Sequence, residues 1–312
     1  MKRKRKRGAS PHGASAVIPF VRQFEFEHGR PAQVSPLVRR VVADNPGPFT
    51  FTGTGTYIVG RGEVAVIDPG PPDEAHLRAL LRAVKGETVT HVLVTHTHLD
   101  HSPLARPFAE ATGATIWAAR PPAPHGPAGA VVEEGDDSVF RPDRIIGDGD
   151  VAEGPGWTLE TVATPGHASN HLCFALAEEN ALFSGDHVMG WSTTVVSPPD
   201  GDMTAYYASL DKVAARGFGT LWPTHGPPVT EAAPFLAAYK AHRLGRERQI
   251  LDQLRQGPRR IADIVPKIYA AVDQRLWPAA AHSVLAHLIH LVRTGVVETD
   301  GEPGPASLYR LA

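Results

Sequence analysis

Six consecutive residues, His96-Thr97-His98-Leu99-Asp100-His101, place three imidazoles and a carboxylate in one short stretch. Imidazole nitrogen and carboxylate oxygen, with no thiolate among them, form a donor set that suits zinc, and also iron or manganese. In extended backbone, side chains two residues apart share a side. His96 and His98 can therefore grip one ion while Asp100 and His101 turn toward a second. With 16 histidines in 312 residues, any single one is weak evidence. The spaced cluster is different, because chance produces His-x-His-x-Asp-His in a chain of this length at a rate on the order of 10⁻³.

The elements around the cluster predict how it is held. Thr88-Val89-Thr90-His91-Val92-Leu93-Val94-Thr95 is a β-branched, apolar run that reads as a buried strand, and Ser102-Pro103 before an alanine-rich segment reads as a helix start with Ser102 at the N-cap. The cluster is thus expected on a strand-to-helix loop. Three more stretches offer single ligands after strand-like runs: Thr164-Pro165-Gly166-His167, Phe183-Ser184-Gly185-Asp186 and Pro223-Thr224-His225-Gly226-Pro227. Glycine or proline beside each one lets the backbone bend sharply. Alone, each reads as a turn.

Together and in this order, over roughly residues 40 to 235, these motifs resemble the metallo-β-lactamase superfamily of metal-dependent hydrolases. The resemblance implies that His96, His98 and His167 hold one metal, that Asp100, His101 and His225 hold the other, and that Asp186 bridges the two. It also implies that Asp68, at the end of Val64-Ala65-Val66-Ile67-Asp68, supports the site from behind. His98, where a glutamate would mark the di-iron oxidoreductases, favours hydrolysis. The bridging Asp186 disfavours true β-lactamases. The openings Asn45-Pro46-Gly47-Pro48 and Gly53-Thr54-Gly55-Thr56-Tyr57, with Thr164 to His171, Phe183 to Asp186 and His225-Gly226-Pro227, are similar to the β-lactamase-like-protein-2 group, which includes single-strand-specific endoribonucleases. Gly55 departs from that group's usual Asn, and Pro103-Leu104 from its usual Gly-Gly.

Beyond this region, helical patterns over Arg246 to Leu254, Ile261 to Tyr269 and Ala279 to Arg293 precede strand-like Val296 to Thr299 and Ser307 to Leu311. Three helices and a hairpin are the order of a winged helix, which that group also carries, and it is expected to wall part of the cleft. From Lys240 onward the chain has eleven Lys or Arg against seven Asp or Glu. The Arg259-Arg260 pair could meet phosphates or stand solvated. The formal net charge of −2 lacks the basic field of a dedicated nucleic-acid binder. Lys2 to Arg7 is an unbroken basic run expected to be a disordered tail. The single Cys173 permits no internal disulfide and suits a reducing cytoplasm, and no apolar run is long enough to cross a bilayer.

The expected fold is α/β: a four-layer αβ/βα sandwich over residues 16–240, after a basic tail at 1–15, with a small winged-helix domain at 241–312. The expected function is a binuclear hydrolase, with zinc ahead of iron or manganese, cleaving single-stranded RNA through a metal-bridging hydroxide. Asp100 would orient the nucleophile. His171 would either donate a hydrogen bond or proton to the scissile or leaving oxygen, or support the site from behind. His187 should turn away from the metals, and His91 and His125 have no partner in sequence. A thioesterase of the glyoxalase II type, or a lactonase, would use the same ligands on a small carbonyl substrate. A transcription factor or scaffold with a vestigial hydrolase region is disfavoured by the intact ligand set.

Overall fold

Strand alternation sets the layers of this chain, whose computed structural model describes residues 17–122 and 135–312. The expected basic tail at 1–15, and His125, lie outside the described residues. A first sheet runs in the order β1 (Ala32–Gln33), β2 (Val38–Val42), β3 (Gly55–Arg61), β4 (Glu63–Ile67), β5 (Thr88–Val94), β6 (Thr115–Ala118) and β7 (Arg144–Ile145). Pairing is antiparallel from β1 to β4 and parallel from β4 to β7. Two helices, α1 (Glu74–Ala83) and α2 (Ala105–Thr112), cover its outer face. Ile58, Val66, Val92 and Val94 point toward these helices, whereas Tyr57, Val59, Ile67 and Leu93 point the other way, as a two-residue period requires.

The second sheet is built from β8 (Val151–Gly154), β9 (Trp157–Ala163), β10 (Leu172–Leu176), β11 (Ala181–Gly185) and β12 (Thr220–Pro223), ordered β12-β11-β10-β9-β8. Leu172, Phe174 and Leu176 of β10 enter the inter-sheet core, while Cys173 and Ala175 face α3 (Met203–Arg216) and α4 (Ala232–Leu254). The four layers are therefore helices, sheet, sheet, helices. Both β9 and β11 are antiparallel to β10, and β12 is parallel to β11. Their C-terminal ends share one edge.

The helix start expected at Ser102 lies further on. Residues 101–104 form a turn, α2 begins at Ala105, and the Ser102 hydroxyl donates to Asp137 Oδ2 at 3.0 Å instead of capping. Helix α4 is one continuous element of 23 residues, so the expected division at 240/241 falls inside it. Its first half packs Phe235, Leu236 and Tyr239 into the hydrolase core, and its second half packs Ile250 and Leu254 into the C-terminal core. That smaller core also takes in α5 (Ile261–Ile268), α6 (Trp277–Arg293) and the hairpin β13 (Val297–Thr299) and β14 (Tyr309–Leu311). Among the described residues, no helix is long and apolar enough to cross a membrane.

One buried group makes the hydrolase region sensitive to acid. The Thr56 hydroxyl donates to the Asp68 carbonyl at 2.7 Å, so His76 Nε2, 2.9 Å away, must be the donor to Thr56. His76 Nδ1 is buried without a partner, and burial lowers the His76 pKa to about 4. The unfolded chain therefore binds more protons than the native one between pH 6.5 and about 4, and stability present above pH 6.5 is lost as pH falls through that window. The loss attributable to this group is on the order of 3 kcal/mol. Urea midpoints at pH 7 and pH 4.5 should show this decline, and a shallower one in His76→Gln.

Candidate metal centre

Residues 95–101 leave the end of β5, His167 follows β9, Asp186 follows β11 and His225 follows β12, all at the shared edge. Local backbone makes the turns possible. Gly166 has φ +142° and Gly185 φ +51°, and a Cβ on the latter would lie 2.6 Å from His171 Nε2. Only glycine fits there, immediately before Asp186.

The structure brings together all seven residues that the sequence motifs single out. His96 Nε2 lies 2.9 Å from His98 Nδ1 and 3.2 Å from His167 Nε2. Nitrogens sharing a tetrahedral zinc ion, at bonds of about 2.0–2.1 Å, stand about 3.3 Å apart. On the other side, Asp100 Oδ2 is 3.0 Å from His225 Nε2 and 3.5 Å from His101 Nε2. Asp186 sits between, with Oδ1 3.6 Å from His101 and Oδ2 3.4 Å from His225 and 3.9 Å from His167. Three groups could each hold an ion: His96 with His98 and His167, His96 with His101 and Asp186, and Asp100 with His101 and His225. His101 Nε2, His225 Nε2 and Asp186 Oδ1 are buried with no hydrogen-bond partner. Such orphans destabilise by about 1–3 kcal/mol each. Converging on one point, they fit a cation.

The opposite ring nitrogens are anchored. His101 Nδ1 donates to Asp68 Oδ2 at 2.9 Å and His167 Nδ1 to the Val195 carbonyl at 2.8 Å. Because Thr95 Oγ1 gives its proton to Asp68 at 2.8 Å, His96 Nδ1, 3.0 Å from the same hydroxyl, is also a donor. Each anchor leaves a lone pair facing inward. Burial, with neighbouring imidazoles, holds His96 well below the usual range and His98 down at about 3, so both stay neutral and able to ligate. Burial would also lower His101 and His225, but Asp100 and Asp186 outweigh it, holding His101 well above the usual range and His225 at about 10. Burial opposes the charge on Asp100 and Asp186, yet His101 and His225 keep both carboxyls below their usual range. This half attracts positive charge.

His171 is placed behind the site. Its Nδ1 is 2.8 Å from Thr164 Oγ1, and its Nε2 accepts the Asp186 backbone N–H at 3.1 Å. Both nitrogens are occupied away from the cleft. His187 is fully buried against Tyr206, and His91 packs edge-on to Trp117. A cavity of 230 Å³ opens over His98, Asp100, His167 and Asp186. Its walls include Phe49, Met189, Trp191, Val195, Leu276 and Ala279, none singled out from the sequence as a site residue because apolar residues carry no ligand signature. Leu276 and Ala279 come from the C-terminal unit, which walls part of the cleft as expected.

Asp68→Asn tests the anchor. Asp68 has φ +50°, a conformation Asn tolerates, so the backbone should persist while one carboxylate oxygen becomes a donor. Metal retention against a chromogenic chelator should weaken about 10- to 100-fold.

Residues 50–225 match the family model of the metallo-beta-lactamase superfamily, and residues 261–305 match that of the beta-lactamase associated winged helix domain. A beta-lactamase-like protein 2 homolog of Caenorhabditis elegans is 31% identical over 85% of this chain and 88% of its own length. The atrochrysone carboxyl ACP thioesterase dmxR1 of Cryptosporiopsis sp. (strain 8999) is 33% identical over 78% of this chain and 69% of its own. A beta-lactamase domain protein of Burkholderia ambifaria superposes with TM-score 0.75 at 22% identity, covering 91% of this chain and 94% of its own. With its ligand-bearing strand ends and its C-terminal unit both matched, the chain belongs to the metallo-beta-lactamase superfamily and carries the associated winged helix.

Proposed function

We propose that this protein is a two-metal thioesterase acting on an apolar acyl group. His96, His98 and His167 would hold one divalent ion and Asp100, His101 and His225 the other, with Asp186 within 4 Å of ligands from both groups; zinc suits this nitrogen and oxygen set. When bound, such ions lower the pKa of water and polarise a carbonyl. The chain's own groups do the rest. Asp68 fixes the His101 ring, Val195 fixes the His167 ring, and Asp100, which lines the cavity, would orient the attacking water.

The character of the cavity carries this reading: its wall is mostly apolar and, among the described residues, no lysine or arginine contributes to it. An RNA strand brings a phosphate at every nucleotide and draws much of its affinity from Lys and Arg. A neighbouring hollow beside Thr97 has Arg120 and Arg141 in its wall, but Asp136 and Asp137 share it. The leaving group supports the same choice. A thiol with a pKa of about 8.5 departs as thiolate without a proton donor, whereas a ribose oxygen is a far stronger base that calls for one. His171, for which the sequence left a donor and a supporting role open, has both ring nitrogens engaged behind the site. Relatives named as acyl carrier protein thioesterases agree with this reading.

The zinc-loaded protein should hydrolyse an acyl-N-acetylcysteamine thioester, followed by thiol release, and leave single-stranded RNA and a lactone largely intact. Asp100→Ala should lower kcat by about 100-fold or more. RNA cleavage that Asp100→Ala abolishes, with the thioester untouched, would restore the endoribonuclease reading. Leu276→Ala should raise KM for a long acyl chain about fivefold with kcat little changed, since it removes about 1 kcal/mol of apolar contact.

A further inference from the structure

The segment from Asp186 to Val195 carries two of the ligand positions' fixings and much of the cavity wall. The Thr194 hydroxyl donates to the Asp186 carbonyl at 2.7 Å, and the next residue's carbonyl, at Val195, accepts from His167 Nδ1 at 2.8 Å. Thr194 is in turn held from α4. Its N–H donates to the Tyr239 hydroxyl at 2.5 Å, its carbonyl accepts from the Arg243 guanidinium, and Tyr239 donates to the Ser192 carbonyl at 3.1 Å.

Arg243 is the unexpected member. It is 4% exposed, and among the described residues no carboxylate lies within ion-pair distance of it. Its guanidinium stands 5.2 Å from the Tyr206 ring centre and 6.0 Å from that of Tyr239. Burying an arginine without an anionic partner contributes little to stability compared with an apolar residue of the same size. Its bond to Thr194 gives a different return, because that carbonyl lies between the two segments that aim His167 and Asp186.

We infer that Tyr239 and Arg243 are positioning residues for the metal centre, acting through Thr194 to set His167 and Asp186. The inference rests on the ligand assignment and is independent of the substrate. Arg243, one of the eleven basic residues counted from Lys240 onward, thus works inward.

The test compares Tyr239→Phe, Arg243→Met and Thr194→Val with Thr194→Ser, which keeps the hydroxyl, and with Ile250→Ala, which opens a cavity in the C-terminal core while α4 stays helical. Two readouts are taken on the full chain: zinc retention against a chelator, and the visible absorption of the cobalt-substituted protein. Tyr239→Phe, Arg243→Met and Thr194→Val should retain zinc about 10- to 100-fold less well and show an altered cobalt spectrum. Thr194→Ser and Ile250→Ala should match the wild type. Unchanged affinity and spectrum in the first three, or an equal loss in Ile250→Ala, would overturn the inference. Should Arg243→Met fail to fold, Thr194→Val against Thr194→Ser still decides it. A wild-type chain that retains no metal would remove the ligand assignment and this inference together.

Discussion

The Asp68 carboxylate is buried where the two sheets meet, and the site is arranged around it. It accepts from the Thr95 N–H and hydroxyl at 2.8 Å each, from the Thr224 hydroxyl at 2.9 Å and from His101 Nδ1 at 2.9 Å. These donors come from the ends of β5 and β12, one strand from each sheet, and from the ligand loop itself. A charge taken from water is destabilising by several kcal/mol unless its lone pairs are met. Here they are met only when both sheets are docked and His101 is turned inward. Correct packing of the sandwich and correct aim of a ligand are the same event.

Much of this was legible because the chemistry sits in residue types that are rare in combination. His96, His98, Asp100 and His101 are contiguous, and the glycines before His167 and Asp186 announce sharp bends at strand ends. The strand alternation and the helical patterns of the C-terminal unit were equally plain. The direction of His171 was not. It precedes β10, whose first N–H, at Leu172, bonds to the Thr95 carbonyl at 2.7 Å, and that pairing swings the ring behind Asp186. Ser102 reads as a cap by type, but a carboxylate 35 residues later, Asp137, claims its hydroxyl. Such partners are distant in sequence and leave no local periodicity.

The cavity wall was hidden for a related reason. Phe49 comes from the opening loop, Trp191 from the segment after β11, and Leu276 from the turn before α6. Apolar side chains gathered from three places carry no spacing that could be recognised in advance, yet they form much of the wall above the candidate ligands. The metal half of the site is written as a motif, while the selective half exists only once the chain has folded. The same applies to α4, whose buried face changes character along its length. Phe235 and Tyr239 give way to the polar Arg243 and Glu247 and then to Ile250 and Leu254, so no single apolar stripe marks it as one helix.

That continuity has a mechanical consequence. A hinge or linker would let the two cores open separately, but a rigid helix shared between them makes each one part of the other's framework. Glu247, on the same helix, accepts from Tyr207 of α3 at 2.8 Å and lies 3.2 Å from His287 of α6, which stitches the junction from both sides. Fraying of α4 from its C-terminal end would therefore travel toward Arg243 and Tyr239 before reaching the hydrolase core. The winged helix serves as the end stop of that helix, so its loss would be felt as slack in the catalytic pocket rather than as the clean removal of an appendage.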